Sequence, residues 1–103
     1  MTYTPVTPAD VLPATTRFVR HDGAAFLIVC DTDGSIYALD GLCSHAQFPL
    51  EGARLRRGHI ICPHHGARFD ITTGAAKGPP ASCGIARYAA READGMIELD
   101  LGA

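Results

Sequence analysis

Two short segments concentrate the metal-binding side chains of this chain: Cys43-Ser44-His45 and Cys62-Pro63-His64-His65-Gly66. Each supplies one thiolate and one imidazole, and sixteen residues separate His45 from Cys62. A Cys-x-His step and a Cys-x-x-His step each project two side chains from one turn toward a common point, and Pro63 fixes the backbone of the second. Two such turns facing each other enclose one site with two sulfur and two nitrogen donors. Zinc accepts that set tetrahedrally, but structural zinc sites draw on Cys-x2–4-Cys and His-x3–5-His pairs, whereas each knuckle here mixes the two ligand types. The other candidate occupant is a [2Fe–2S] cluster with two Cys on one iron and two His on the other. His64 competes with its neighbour His65 for the fourth position.

The elements that position these knuckles read as β-strands. The chain has 103 residues, enough for one domain, with 47% hydrophobic residues, eleven Gly and seven Pro. Its mean hydropathy of +0.07 fits a globular fold. Frequent turns favour short strands over long helices. Thr4-Pro5-Val6-Thr7-Pro8 predicts extended chain, because proline removes donors and biases its predecessor away from helix. The apolar run 25–30 has the length of a strand buried on both faces. Asp33-Gly34 signals a hairpin into 35–39, where Ile36 and Ala38 alternate with Ser35 and Tyr37; Asp94-Gly95 signals another, into a closing strand over 96–101. Residues 85–92 fit either a helical face or a strand, and the flanking Gly84 and Asp94-Gly95 favour the strand. Between these ends, 41–80 reads as loops around something.

The charge balance excludes some partners. Nine basic and eleven acidic residues give a net charge of −2, which offers no broad basic surface for nucleic acid or anionic lipid. Arg54, Arg56 and Arg57 form a local basic cluster, read as a solvated turn or a docking patch. No stretch approaches the ~20 apolar residues of a membrane helix, and the N-terminus lacks the pattern of a secretory signal. The expected location is the cytoplasm, where cysteines serve as ligands or buried apolar residues rather than as disulfides. Cys30 reads as a small core residue and Cys83 as structural or as an exposed reactive thiol; His21 and His59 sit beside turn glycines with no assigned role.

The motif Cys43-x-His45-x16-Cys62-x-x-His65 resembles that of the Rieske family, and the likeness extends over nearly the whole chain. Leu50-Glu51-Gly52, Gly66-Ala67-Arg68-Phe69-Asp70, Thr73-Gly74 and Gly78-Pro79-Pro80 resemble the small ferredoxins of multicomponent aromatic-ring dioxygenases. The resemblance implies an all-β fold, a small antiparallel barrel or sandwich built from both chain ends, with a cluster-binding subdomain over about 41–80. It implies one Rieske-type [2Fe–2S] cluster bound by Cys43, His45, Cys62 and His65, with His65 preferred because Cys-x-x-His-Gly is the family's pattern. Residues 78–80 would be a lid, and Phe48 and Phe69 would pack the subdomain. Backbone N–H groups of 44–47 and 64–67 would hydrogen-bond the sulfurs, and Asp70 would bond loop backbone.

The implied function is that of an electron carrier rather than an enzyme. A flavin-dependent reductase would load it, and it would deliver one electron to a terminal ring-hydroxylating oxygenase in aromatic hydrocarbon catabolism, as a soluble monomer. The alternatives are a small subunit of an assimilatory nitrite reductase, a zinc-stabilised interaction module, and a Rieske domain detached from a larger oxygenase. The Met start and the Leu101-Gly102-Ala103 close favour one complete domain, 1–103.

Rieske proteins of respiratory complexes resemble this one in spacing but carry a further Cys in each ligand loop, joined as a disulfide. Phe48 and His64 stand at those positions here, which implies the lower-potential, ferredoxin-type branch. A reduction potential toward the lower end of the roughly −150 to +300 mV span of Rieske centres is expected. Voltammetry giving a value near the top would contradict that branch assignment.

Overall fold

A computed structural model describes residues 2–44, 47–64, 66–78 and 83–102. Ten strands appear: β1 (Tyr3–Pro8), β2 (Thr15–His21), β3 (Ala24–Cys30), β4 (Ile36–Asp40), β5 (Arg54–Arg56), β6 (His59–Ile61), β7 (Arg68–Asp70), β8 (Arg87–Tyr88), β9 (Ala90–Ala93) and β10 (Met96–Asp100). All pair antiparallel, in three sheets ordered β1-β10-β9, β2-β3-β4-β8 and β5-β6-β7. No helix of the described residues is long and apolar enough to cross a membrane.

The β2-β3-β4-β8 sheet is the middle layer, and it is covered on both faces. Successive side chains of a strand point to opposite faces. Phe26 and Ile28 of β3 therefore pack with Val19, Ala38, Ile97 and Leu99 against the β1-β10-β9 sheet. Leu27 and Val29 pack the other way, with Leu39, Ile60, Phe69, Cys43 and Cys62. Double coverage explains why β3 reads as an unbroken apolar run. It also overrides the alternation expected in β4, where the adjacent Ala38 and Leu39 are both buried.

Turn chemistry sets the hairpins. Asp22-Gly23, Arg57-Gly58 and Asp94-Gly95 all hold positive φ at both positions (50° and 81°, 49° and 78°, 53° and 76°), the conformation that matches the twist of the strands they join. Residues 85–92 contribute β8 and the start of β9, so strand prevails there over helix. The middle region departs from the expectation of loops alone, because its β5-β6-β7 sheet has a buried face of Ile60 and Phe69 with Leu55 half-buried.

Gly41 fixes how the middle region joins the central sheet. Its N–H donates to the Ala25 carbonyl at 2.9 Å, and its own carbonyl accepts from Leu50 N at 2.7 Å. A Cβ placed there would lie 2.6 Å from the Ala25 carbonyl carbon and 2.7 Å from Phe26 N. Backbone cannot yield cheaply, so Gly41→Ala should destabilise the protein by about 1–3 kcal/mol, read as a lowered midpoint in thermal unfolding followed by circular dichroism.

Candidate metal centre

Cys43 and Cys62 open two loops with the same backbone frame. In the first, over 43–48, Cys43 N donates to Phe48 O at 2.8 Å and Gln47 N donates to Cys43 O at 2.7 Å. In the second, over 62–67, Cys62 N donates to Ala67 O at 2.7 Å and Gly66 N donates to Cys62 O at 3.1 Å. Each loop thus closes on its cysteine through the fourth and fifth following residues. The stems match as well: Leu42 lies opposite Pro49, and Ile61 opposite Arg68. The fourth following residue has positive φ in both, Gln47 at 58° and Gly66 at 75°. Gly66 serves that conformation rather than close packing, since a Cβ there would meet no protein atom within 4 Å.

The thiol-bearing residues sit at the floor of this pair of loops. Cys43 and Cys62 are 1% and 2% exposed and belong to one packed cluster with Leu50, Ile60 and Phe69. Gln47, Phe48, Pro63, His64 and Gly66 above them are exposed. None of the four cysteines forms a disulfide with another. The frame spends the Gln47 and Gly66 N–H groups on the cysteine carbonyls, so those two do not serve the sulfurs as expected. His45, His65 and the expected lid prolines Pro79 and Pro80 lie outside the described residues.

Further contacts tie the loops together. The Phe48 ring stacks on the His64 ring with centroids 4.6 Å apart and planes at 29°. Phe48 is 40% exposed, so it packs the subdomain at its surface, bridging the loops, while Phe69 packs its interior. Ser44 Oγ donates to the Cys83 carbonyl at 2.6 Å, joining the first loop to a distant part of the chain. Cys83 therefore contributes through its backbone, while its side chain is exposed. Cys30 is a core residue as expected; burial and then Asp33 and Asp31 push its thiol pKa up, keeping it protonated. Asp70 accepts from Thr72 N, Thr72 Oγ1 and Thr73 N at 2.7, 2.6 and 3.3 Å, bonding loop backbone as expected. These bonds, foremost that from the Thr72 hydroxyl, hold its carboxyl pKa down.

Two anchored cysteines at the floor of twin loops, each followed within three positions by a histidine, fit an iron–sulfur centre with mixed ligands. The comparisons with known proteins agree. The Rieske [2Fe-2S] domain family matches residues 2–89. The chain is 31% identical over 93 residues to the naphthalene 1,2-dioxygenase system ferredoxin component of Pseudomonas putida, covering 90% of this chain and 88% of that one. Among solved structures, the ferredoxin of carbazole 1,9a-dioxygenase from Nocardioides aromaticivorans IC177 is 30% identical with a TM-score of 0.85, covering 96% of this chain and 97% of that chain. A chain in a complex of reduced oxygenase and oxidized ferredoxin in carbazole 1,9a-dioxygenase is 25% identical with a TM-score of 0.84, covering 94% of this chain and 91% of that chain.

The fold and site define an all-β iron–sulfur protein. The chain belongs to the Rieske [2Fe–2S] domain family. It carries one Rieske-type cluster and is an electron carrier of the ferredoxin kind, not an enzyme.

The Phe48–His64 stack gives the site a measurable dependence on two residues that are not expected ligands. Ring pairs of this kind contribute about 0.5–1.5 kcal/mol. His64→Ala should speed loss of the visible absorption on heating by up to about fivefold, the equivalent of about 1 kcal/mol, whereas His64→Phe should leave it near the parent rate. Equal rates for all three proteins would show that the stack holds nothing.

Proposed function

We propose that Cys43, His45, Cys62 and His65 are the four cluster ligands, and that the protein passes one electron from a flavin-dependent reductase to a terminal ring-hydroxylating oxygenase. The observation that carries the ligand assignment is the shared loop frame. It anchors Cys43 and Cys62 identically and leaves His45 at the third position of one loop and His65 at the fourth of the other. His65 is preferred to His64 because the His64 ring is engaged with Phe48 at the exposed rim.

The chain's own residues do three things for this role. The cysteines anchor the group at the buried floor, where Leu50, Ile60 and Phe69 exclude water. The loop hydrogen bonds hold both anchors in a fixed frame, so little rearrangement accompanies a change of charge. The exposed rim of Gln47, Phe48 and His64 lies over that floor and shortens the path to a docked protein. When bound, the cluster supplies a one-electron couple. With two thiolates and two neutral imidazoles its charge changes from 0 to −1, less costly in a partly buried site than the −2 to −3 of an all-cysteine set.

The oxygenase as recipient is supported by the naphthalene dioxygenase relative and by the carbazole dioxygenase complex, in which a chain of this fold accompanies an oxygenase. We place the protein in the cytoplasm as a soluble monomer, in keeping with its four unbridged cysteines.

Cys43→Ser, His45→Ala, Cys62→Ser and His65→Ala should each abolish the visible absorption of the dithionite-bleachable cluster, while His64→Ala retains it. A His65→Ala protein that keeps the parent absorption would overturn the ligand assignment; a colourless parent with stoichiometric zinc would overturn the redox role. For the carrier step, catalytic amounts of the protein should couple a purified flavoprotein reductase to oxygenase turnover.

A further inference from the structure

The outer face of the β5-β6-β7 sheet has no part in the site above. Its register brings residues from three strands into two rows. Arg54, Ile61 and Arg68 form the row adjoining the second ligand loop, since Ile61 precedes Cys62 and Arg68 follows Ala67. Arg56, His59 and Asp70 form the row beyond it, and Arg57 caps the β5–β6 turn. Strands about 4.8 Å apart make each row roughly 10 Å wide. The four arginines are exposed, with His59 and Ile61 half-buried between them.

Among the described residues, these arginines form no ion pair. The ion pairs among the described residues join Arg17 to Asp10, Arg91 to Glu98 and His21 to Asp22, all outside the middle region. Asp70, at the corner of the face, is committed to Thr72 and Thr73. Residues 41–80 carry five basic side chains and two acidic ones, net +3; the remainder carries four basic and nine acidic, net −5, which together give the overall −2. The acidic protein therefore has a basic cluster-binding end.

We propose that this face is a docking surface for the acidic surface of a redox partner protein, with Arg54, Arg56, Arg57 and Arg68 receiving its carboxylates; the proposal rests on the carrier reading above. Arginine suits the role, because its planar fork pairs with carboxylates in two-point fashion and sheds its hydration readily. The occupant is a protein surface and not a small anion. The arginines spread over two adjoining shallow hollows, of about 330 and 270 Å³, which share Arg56 and Ile61 and enclose nothing. Charge of one sign on one end also steers a diffusing partner toward the cluster despite the unfavourable net charge.

The test uses the dithionite-reduced holoprotein and two one-electron oxidants of opposite charge, hexacyanoferrate(III) and hexaammineruthenium(III), each taking one electron as the cluster returns to its oxidised state. Net charge predicts that the anion reacts faster as salt is added. The basic face predicts the reverse: a rate with hexacyanoferrate that falls about threefold or more between about 10 and 200 mM ionic strength, as screening sets in, and a rate with the cation that rises. Arg54→Glu/Arg56→Glu should invert both trends, whereas Arg20→Glu/Arg87→Glu, which changes the net charge equally, should not. Arg54→Gln/Arg56→Gln, a gentler change, should flatten them.

Equal effects of the two charge-reversed pairs, or an anion rate that rises with salt in the parent, would overturn the proposal. Saturation by submillimolar hexacyanoferrate would overturn it in favour of a small-anion site. The carrier reading fails separately, if the reduced protein yields its electron to neither oxidant.

Discussion

On the proposed ligand assignment, two cysteines act as thiolates at a place where the chain is almost dry. Cys43 and Cys62 lie among Leu50, Ile60, Ala67 and Phe69, all 0% exposed, and a bare negative charge there would be strongly unfavourable. The thiolates are tolerable only if opposite charge arrives with them, which is what a ferric cluster supplies. Binding and folding are therefore linked in this region. Much of the architecture holds two buried anchors at fixed positions: the central sheet covered on both faces, the Gly41 junction, and the twin loop frames.

The twin frames also show what the two unlike spacings have in common. Cys-x-His and Cys-x-x-His look like different motifs, yet both cysteines make the same pair of backbone bonds and both loops turn on a positive-φ fourth residue. What differs is which position of a common frame carries the histidine. Glycine satisfies the turn in the second loop; Gln47 adopts it in the first at a modest conformational penalty. Ser44 and the Phe48–His64 stack then restrain the first loop from outside.

The family, the apolar β3 and the Asp-Gly turns were legible in the sequence, the first through the resemblance carried by its motifs and the other two as local signals. The β5-β6-β7 sheet was not. Its strands are three residues long, too short for alternation to register, and its outward positions carry the arginines that suggested a solvated turn. Only Arg57 occupies a turn; arginine at positive φ gives no turn signal of the kind that asparagine or aspartate gives. The double burial of Ala38 and Leu39 needs knowledge of sheets on both sides of β4, and the Phe48–His64 stack joins residues sixteen apart whose meeting depends on both loops folding. The structural part of Cys83 was equally out of reach, since its contribution is a carbonyl on an exposed residue.

The same short sheet that hid from the sequence sets the electrostatics of the cluster end. Four arginines beside a group that gains one negative charge favour its reduced form, and more strongly where water is sparse than where it is plentiful. A partner that brought carboxylates onto these arginines would cancel part of that field, so docking itself would make the electron easier to surrender. The thiolate floor and the basic outer face then act on successive steps: the first makes the cluster's charge tolerable within the fold, and the second makes that charge responsive to what touches the surface.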